Sequence, residues 1–568
     1  MERAATRESA QPSGARKDTV GATADPSRRR ARPPAFRVGP LLLGPRRPYD
    51  GREARRVRRT PPGKHMSIYS DLADDIERQI RRGVLRAGER LPSVRALCTA
   101  RGISQGTVMQ AYYLLEDRGL VTARPRSGYF VNATARPPLA RPTMPTLQPE
   151  PVHVAPANVL FSVLSGIKRR ENVPLGSAFA SPLLYPLPKL AQLLGLAARR
   201  LDPWRIVDDL PPGNADLRRH IARRYLEMGA EVDVADIVIT NGASEAMLLS
   251  LIATTRPGDI VAIESPAHYN TLHAIEASGR RAVCVPTCAQ DGMNLPALEA
   301  AIAADDIKAV WAMPTFHNPT GATMPARNKQ ALVRLLARHE IPLIENDVYG
   351  ELWFGERRPP PAKTWDRRGG VLHCGSFSKS LAPGYRIGWV APGRFFETVL
   401  QNKFLLSIGT NIASQAALAD YLKHGGYELH LRRLRSTLRG QRDQCLRAVA
   451  RHFPAGTAVS RPEGGYVLWV QLPPGSIDAV ELMRRALDEG VSLAPGALFS
   501  PNGRYGHDLR LNFGHPWSAE LERGVEVIGR LARGGGAGAV PLLVGPPSDA
   551  SRTLAKLRSP PGLDCPDE

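Results

Sequence analysis

Long hydrophobic runs are missing from this chain, and their absence removes two classes of protein from consideration. No stretch of about 18 or more apolar residues occurs, so no membrane-spanning helix is predicted. The arginine-rich N-terminus has no apolar core of the kind that a secretory signal requires. We therefore expect a cytoplasmic protein without a membrane partner.

Cysteine is also scarce, with 6 in 568 residues. Cys284 and Cys288 lie close together in the chain, but no second pair of ligands stands beside them. This number and spacing are typical of reduced thiols in a cytoplasmic protein rather than of a disulfide framework or a zinc site. No metal site is predicted.

Positive charge is abundant but unevenly distributed. The formal net charge is +22, and residues 1–65 contain 17 Lys/Arg against 6 Asp/Glu, a balance of +11. Because this segment is also rich in Pro and Gly and lacks apolar periodicity, we predict a basic disordered extension. Two interpretations stay open. The segment is either a basic arm that adds non-specific DNA affinity, or it is not translated in the cell and Met66 is the true start.

The rest of the chain divides into two patterned regions. Regular patterning begins at Met66, is interrupted by a proline-rich stretch, and ends near residue 533. The predicted boundaries are 1–65 for the extension, 66–133 for a small first domain, 134–157 for a linker, 158–533 for a large domain and 534–568 for a loose C-terminal tail. In the large domain, helical stretches alternate with short β-rich runs such as DIVAIE and IPLIEND, which predicts an α/β domain with a mainly parallel central sheet.

The small first domain has the pattern of three helices and a β-hairpin. Apolar residues recur every four positions over residues 72–80, as in an amphipathic helix. Ser93 and Ser104 are predicted N-caps of two further helices, and Gly102 and Gly119 are their predicted stops. The segment LVTARPRSGYFV then indicates two short strands around a basic turn. This order predicts an α+β winged helix-turn-helix.

The stretch LPSVRALCTARGISQGTVMQAYYLLEDRGLVTARPRSGYFV resembles the GntR family of winged-helix regulators over nearly all of residues 66–132. The resemblance implies double-stranded operator DNA as a partner. Small or polar side chains at the start of the recognition helix can reach base edges, and nearby arginines suit phosphates. The candidate DNA-binding residues are Ser104, Gln105 and Thr107 on that helix, Arg95 and Arg101 beside the groove, and Arg124 and Arg126 at the wing tip.

Four motifs of the large domain follow the order found in fold-type I aminotransferases, which the chain resembles over about residues 170–533. The motifs are TNGASEAM from Thr240, FHNPTG from Phe316, ENDVYGEL from Glu345 and SFSKSLAPGYRIGW from Ser376. The third motif follows the apolar run IPLI, where a buried carboxylate is costly unless it is paired. The resemblance implies pyridoxal 5'-phosphate (PLP) as the cofactor and a PLP-dependent transferase fold, fold type I, for the large domain.

The same resemblance implies a role for individual residues. Lys379 is the implied catalytic residue, which bonds covalently to the cofactor and can move protons. The implied cofactor-binding residues are Gly242, Ala243 and Ser244 at a helix N-terminus suited to phosphate, Tyr269 stacked on the ring, Asn318 and Tyr349 at the phenolic oxygen, Asp347 at the ring nitrogen, and Ser376, Ser378 and Arg386 at the phosphate, together with Lys379. Arg510 in LRLNFG is the implied clamp for the carboxylate of an amino compound.

The combination of the two domains resembles the MocR-type regulators. This resemblance implies a DNA-binding transcriptional regulator whose aminotransferase-like domain senses PLP or a small amino-compound effector. It also implies a domain-swapped homodimer. The alternative is an active PLP-dependent aminotransferase with an accessory DNA-binding module, because the groups needed for proton transfer are all present.

Overall fold

The computed structural model describes residues 68–534, with gaps at 118, 125–126, 133–138, 144–149, 153–162, 164, 167 and 425. The predicted extension 1–65, the predicted tail beyond Gly534 and the wing residue Arg126 lie outside the described residues. No helix in the described part is long and apolar enough to cross a membrane. The domain boundaries given above stay predictions.

The small domain is a winged helix-turn-helix. Its elements are α1 (Ile68–Arg81), α2 (Val94–Arg101), α3 (Gln105–Asp117), β1 (Val121–Arg124) and β2 (Gly128–Val131). Strands β1 and β2 pair antiparallel and form the wing. The predicted fold of this region is confirmed.

Local capping sets the ends of the two helices that make up the helix-turn-helix. The Ser93 hydroxyl accepts the N–H of Ala96 at 3.1 Å, and Gly102 ends α2 in the left-handed conformation with φ 63°. The Ser104 hydroxyl accepts the N–H of Thr107 at 3.2 Å and so caps α3. These short side chains satisfy backbone donors that a helix start leaves unpaired.

A small apolar core holds this domain together. Leu72 and Ile76 of α1 are buried against Val108, Tyr112 and Leu115 of α3. The spacing of these residues places them on the inner face of each helix. The helix bearing the candidate base-contacting residues is therefore fixed by its opposite face.

The large domain consists of helices around a central sheet. Its helices are α4 (Leu187–Arg199), α5 (Arg205–Asp208), α6 (Ala215–Glu227), α7 (Ala243–Thr254), α8 (Tyr269–Ala277), α9 (Leu295–Ala304), α10 (Ala326–Arg338), α11 (Phe396–Ser407), α12 (Ile412–Lys423), α13 (Gly426–His452), α14 (Ala479–Asp488) and α15 (Ala519–Arg533). Short 3₁₀ turns, such as Ala362–Trp365, occur between them. Buried apolar clusters lie on the faces of the sheet.

Nine strands within the described residues form that central sheet. They are β3 (Pro151–Val152), β4 (Val238–Thr240), β5 (Ile260–Ser265), β6 (Arg281–Cys288), β7 (Gly292–Met293), β8 (Ile307–Ala312), β9 (Leu343–Asn346), β10 (Val371–Ser376) and β11 (Gly388–Ala391). The order is β3-β6-β5-β8-β9-β10-β11-β4, with β7 paired to β6. Strands β6, β5, β8, β9 and β10 are mutually parallel, and β11 is antiparallel to both of its neighbours. The sheet is mainly parallel, as predicted.

A second, antiparallel sheet lies in the C-terminal part of the large domain. It contains β12 (Ala458–Val459), β13 (Val467–Gln471), β14 (Ala494–Pro495) and β15 (Asp508–Asn512), in the order β12-β13-β15-β14. Arg510 is central in β15 and is 1% exposed. The arginine of the LRL sequence therefore points into the protein.

Parts of the predicted linker are held against the large domain. Pro151–Val152 forms the edge strand β3 and pairs with β6. Ala140 forms a bridge with Ala458, and its carbonyl accepts the N–H of Val459 at 2.8 Å. The chain is therefore anchored to the large domain soon after the last described residue of the wing, Asn132.

Candidate functional site

Strand direction brings the four motifs of the large domain to one edge of the central sheet. Strand β4 is antiparallel to β11, which is antiparallel to β10, so β4 points the same way as β8, β9 and β10. Each motif begins at or just after the carboxyl end of one of these four strands. Ligands of open α/β sheets bind at this edge. The candidate cofactor site lies there.

Lys379 lies in the turn that follows β10, with its amine inside the site. Its Nζ donates a hydrogen bond to the Ala178 carbonyl at 2.8 Å and lies 4.6 Å from the centre of the Phe179 ring. Burial, together with the charges of Arg510 and Arg386, lowers the pKa of Lys379 to about 7. A large fraction of this amine is therefore neutral near pH 7, as a nucleophile requires.

Asp347 follows β9 and is buried. Its Oδ2 atom accepts a hydrogen bond from Arg358 Nη2 at 2.5 Å and lies 3.1 Å from His373 Nε2. Its Oδ1 atom is buried without a partner among the described residues. Burial acts to raise the pKa of Asp347, but Arg358 and His373 outweigh it and hold that pKa below its usual value. The carboxylate is charged and has one free acceptor atom.

Three predicted residues meet on the opposite side of the site. The Asn318 amide donates to the Tyr349 hydroxyl at 3.3 Å, so the two groups predicted for one cofactor oxygen lie together. Arg510 donates to Asn318 Oδ1 at 3.2 Å and to the Gly176 carbonyl at 2.6 Å, while its Nε is buried without a partner. No ion pair joins Arg510 to an acidic side chain in the described part of the chain. A buried guanidinium of this kind suits a carboxylate.

The predicted phosphate residues lie around the N-terminus of α7. Gly242 has φ 82°, and a Cβ atom there would lie only 2.6 Å from Arg386 Nη2. Glycine therefore lets the guanidinium lie against the backbone amides that begin the helix, where an anion binds well. Ala243 and Ser244 begin α7, and Ser244 is exposed.

The two predicted serines lie at and just after the end of β10, next to Arg386 and the N-terminus of α7. The Ser376 hydroxyl donates to the Ser378 hydroxyl at 3.0 Å and accepts the Ser378 N–H at the same distance. Both residues are buried, and the strand that carries Ser376 pairs with β11, which follows Arg386. Hydroxyls, amides and one arginine are the donors that a phosphate needs.

Tyr269 begins α8, and its ring stacks on His268 with the ring centres 4.3 Å apart. His268 was not predicted. Desolvation, followed by the charges of Arg510 and Lys379, lowers the pKa of His268 well below its usual value. A neutral imidazole therefore lies beside the predicted stacking residue. Its position next to Tyr269 in SPAHYNT was the only available signal.

These observations fit PLP. A free buried carboxylate oxygen suits a protonated ring nitrogen, and an open helix N-terminus with Arg386 suits a phosphate. The amine of Lys379, with a pKa of about 7, suits an electrophilic carbon.

Three further site residues were missed because they reach Asp347, or its neighbour His373, from other elements. Arg358 comes from the segment between β9 and β10, His373 from β10, and Tyr225 from α6. The Tyr225 hydroxyl lies 2.6 Å from His373 Nδ1. A histidine inside the apolar run VLHCG was a usable signal for His373. Arg358 and Tyr225 carried no signal in the sequence.

The predicted DNA-binding residues that the structure describes lie on one domain, and most are exposed. Ser104 and Gln105 are exposed at the start of α3, and Thr107 is half-buried. The Ser104 hydroxyl is already engaged, since it caps the helix and lies 2.8 Å from the Thr107 hydroxyl. Gln105 is therefore the freer of the two exposed side chains to reach a base edge.

The predicted arginines differ in their partners. Arg101 forms an ion pair with Asp75 at 3.2 Å, whereas no ion pair joins exposed Arg95 to any described residue. The Arg124 guanidinium lies 4.3 Å from the centre of the Phe130 ring on the wing. Arg90, which was not predicted, lies against Gly128 at the wing turn.

Family models match both regions. The model for aminotransferase class I and II matches residues 210–528, and the model for bacterial regulatory proteins of the gntR family matches residues 68–131. The Escherichia coli proteins named uncharacterized HTH-type transcriptional regulators YdcR and YjiR are 40% and 37% identical to this chain. Each alignment covers 82% of this chain, and 99% of YdcR or 98% of YjiR.

Solved aminotransferases share the fold of the large domain. The multiple substrate aminotransferase of Thermococcus profundus has a TM-score of 0.61 and 25% identity, over 67% of this chain and 95% of its own. LysN, the α-aminoadipate aminotransferase of Thermus thermophilus, has a TM-score of 0.61 and 28% identity, over 66% and 95%. LysN was solved in complex with N-(5'-phosphopyridoxyl)-L-leucine.

The fold and the site thus define a class of protein in which a GntR-type DNA-binding domain is joined to an aminotransferase class I and II domain. The chain belongs to the family of HTH-type transcriptional regulators with this architecture. The predicted MocR-type assignment and the prediction of a transcriptional regulator are confirmed at this level.

Proposed function

We propose that this regulator binds PLP in its large domain and that PLP, or an amino compound that reacts with it, changes the affinity of the small domain for operator DNA. The observation that carries the proposal is the buried Oδ1 atom of Asp347, which has no hydrogen-bond partner among the described residues. It lies at the same sheet edge as the amine of Lys379, whose pKa is about 7, in a chain that also has a capped recognition helix. A site built in this way suits an ionised ring nitrogen at one end and a carbonyl carbon at the other.

The residues that would hold the cofactor are those placed around the sheet edge. Asp347 would bind the ring nitrogen, Asn318 and Tyr349 the phenolic oxygen, and Arg386 the phosphate over the N-terminus of α7. Lys379 would form the covalent attachment. When bound, PLP supplies an electrophilic carbon and an electron-withdrawing ring.

The effector is expected to carry both an amino group and a carboxylate. Arg510 has a buried guanidinium without an acidic partner in the described part of the chain, which suits a carboxylate. The amine of Lys379 is the group that an incoming amino group would displace. Burial lowers the pKa of Arg510, and a bound carboxylate would offset that cost.

A second copy of the chain is the proposed partner. Phe404, Leu405, Leu406 and Ile408 at the end of α11 are 44–82% exposed. A contiguous apolar surface of this kind is typical of a protein interface. In the domain-swapped homodimer, two DNA-binding domains would recognise paired half-sites. A ligand would act only by favouring one geometry of this dimer over another.

The test is binding of the full-length dimer to DNA upstream of its own and neighbouring genes, with and without PLP. We expect PLP to change the affinity of the wild type and of Lys189→Ala, a control that removes an exposed lysine. Lys379→Ala is expected to bind DNA without responding to PLP. A response to PLP that persists unchanged in Lys379→Ala would contradict the proposal.

An active aminotransferase remains the second candidate, and a specific observation favours it. The pKa of Lys379 is about 7, so its amine can take up and release a proton near neutral pH. Conversion of an amino donor and a keto acceptor at about 1 per second or faster would support this activity. Turnover slower by several orders of magnitude, with intact DNA regulation, would reject it.

A further inference from the structure

The two oxygens of the Asp347 carboxylate have different surroundings. Oδ2 is in contact with both Arg358 Nη2 at 2.5 Å and His373 Nε2 at 3.1 Å. Oδ1 has no partner among the described residues, and the side chain is 2% exposed. Whatever binds Oδ1 therefore shares this carboxylate with a permanently charged guanidinium.

Arg358 is fixed in place by backbone and by an acidic neighbour. Its Nε donates to the Gly350 carbonyl at 3.0 Å and lies 3.6 Å from Glu351 Oε1. Position 350 must be a glycine for this contact, because a Cβ atom there would overlap both the guanidinium and the Asp347 oxygens. Glu351 is itself paired with Arg224, whose Nε donates to it at 3.2 Å. Because Glu351 is already paired with Arg224, the positive charge of Arg358 acts mainly on Asp347.

His373 contributes a hydrogen bond to Asp347, and a neighbouring tyrosine sets the direction of that bond. The Trp389 indole donates to the Tyr225 hydroxyl at 3.0 Å, so the hydroxyl hydrogen is free to point to His373 Nδ1 at 2.6 Å. With Nδ1 as the acceptor, the N–H of His373 lies on Nε2 and is donated to Asp347. This chain of three hydrogen bonds fixes the tautomer of His373.

The other titratable groups near Asp347 do not replace Arg358. Lys329 of α10 has its Nζ on the Thr315 hydroxyl at 2.5 Å and on the Pro360 carbonyl at 2.9 Å. The remaining groups, Glu351 and Tyr225, carry no positive charge. Arg358 is therefore the one permanently charged cation in hydrogen-bond contact with Asp347 among the described residues.

We propose that Arg358 is a positioning residue that competes with the ring nitrogen of PLP for the charge of Asp347, so that this nitrogen is protonated less readily than beside an aspartate without a cation. A guanidinium on one oxygen makes the carboxylate a weaker base and repels a positive ring bound at the other. A ring nitrogen that is less protonated is a weaker electron sink. The site would therefore hold an amino compound without readily removing its α-hydrogen. This inference rests on the proposed binding of PLP.

The test uses full-length protein loaded with PLP labelled with ¹⁵N in its ring, and the readout is the protonation of that nitrogen by NMR. We expect Arg358→Gln to raise the proton affinity of the nitrogen by about tenfold or more, because it removes a positive charge from the carboxylate that would bind this nitrogen. Arg357→Gln is the matched control, because it removes an exposed arginine from the adjacent position. Arg358→Lys keeps the charge and is expected to resemble the wild type.

The outcomes are distinguishable. Absence of PLP binding by the wild type contradicts the proposed function, and this inference falls with it. Binding of PLP with the same nitrogen protonation in Arg358→Gln and in the wild type contradicts only the role of Arg358. If Arg358→Gln does not fold, the wild type alone decides. A nitrogen that loses its proton within the pH range of the folded protein supports the proposal, and one that stays protonated throughout that range contradicts it.

Discussion

The DNA-binding domain and the candidate cofactor site both depend on charged side chains, but the first exposes them and the second buries them. Arg95, Arg101 and Arg124 are exposed, and Asp75, the partner of Arg101, is itself more than a third exposed. Around the cofactor site, the side chains of Asp347, Arg358, Glu351 and Arg224 are each less than 15% exposed and contact one another in a line. Exposed charges are screened and act almost independently, whereas buried charges depend on each other.

This difference indicates where a substitution affects only its own contact and where it also affects neighbouring residues. Loss of one exposed arginine is expected to remove one contact with DNA. Loss of one of the four buried side chains leaves the opposite charge beside it without a partner in a region of low polarity. The predictions below test this contrast, beginning with the largest expected effect.

Arg224→Met is expected to lower the free energy of unfolding by about 3–5 kcal/mol, because Glu351 would lose its main partner inside the protein. The measurement is urea unfolding followed by tryptophan fluorescence. All 7 tryptophans lie between residues 204 and 517, so this signal reports the large domain alone.

Arg219→Met on the same helix is the control for Arg224→Met. Arg219 pairs with Asp216, but both side chains are more than half exposed. Its loss should cost less than about 1 kcal/mol. An equal loss of unfolding free energy in the two variants would show that the four buried charged side chains depend on one another no more than a surface ion pair does.

Acid should destabilise the large domain through the same residues. The pKa values of Asp347 and Glu351 lie below their usual values of 3.8 and 4.5, because Arg358 and Arg224 outweigh the effect of burial. Each group therefore contributes stability that is complete above its usual value and is lost as the pH falls below about 4.5. Glu351→Gln should make this loss shallower, as measured by tryptophan fluorescence against pH.

Glu299→Gln provides the comparison for the acid experiment. Glu299 pairs with Arg338 at 3.1 Å, and both side chains are more than half exposed. Its replacement should leave the acid unfolding curve unchanged. A curve for Glu351→Gln as steep as the wild-type curve would exclude Glu351 as a source of the acid sensitivity.

Gln105→Ala is expected to weaken binding to the specific operator by about 1–3 kcal/mol while non-specific binding is unchanged, because a glutamine of the recognition helix can bond a base edge. The measurement is a titration of operator and of unrelated DNA. Gln79→Ala, an exposed glutamine of α1, is the control. An equal loss on both DNAs would assign Gln105 to the phosphate backbone.

The smallest effect is expected for single arginines of the DNA-binding domain. Arg95→Ala should weaken binding to all sequences and reduce the dependence of log affinity on log salt by about 1, as the loss of one phosphate contact does. Arg101→Ala should reduce it less, because Asp75 already neutralises part of that charge. Equal salt dependence in the two variants would mean that Asp75 releases Arg101 on DNA.

The small domain was predictable from the sequence because its structure is fixed by neighbouring residues. Ser93 and Gly102 bound α2 through contacts within four residues. The order of the four motifs in the large domain was also predictable, since each follows its own strand. The contacts between the motifs were not, because Arg510 meets Gly176 across 334 positions and Asn318 across 192.

The residues that surround Asp347 show what the sequence could not reveal. Arg358 is one of two adjacent arginines, and only the fold distinguishes it from exposed Arg357. Tyr225 lies in a helix that has no link to the motifs in sequence, yet it reaches His373. Such contacts depend on how elements pack, which local patterns do not encode.

The bridge between Ala140 and Ala458 limits how far the DNA-binding domain can lie from the large domain. Only eight Cα-to-Cα steps separate Ala140 from Asn132, the last described residue of the wing, and they reach at most about 29 Å when fully extended. The link to each DNA-binding domain is therefore short, and in the proposed dimer two such links would serve only a limited range of half-site separations. The separation of the two half-sites, counted in base pairs, would therefore report any movement of the two Ala140 attachment points.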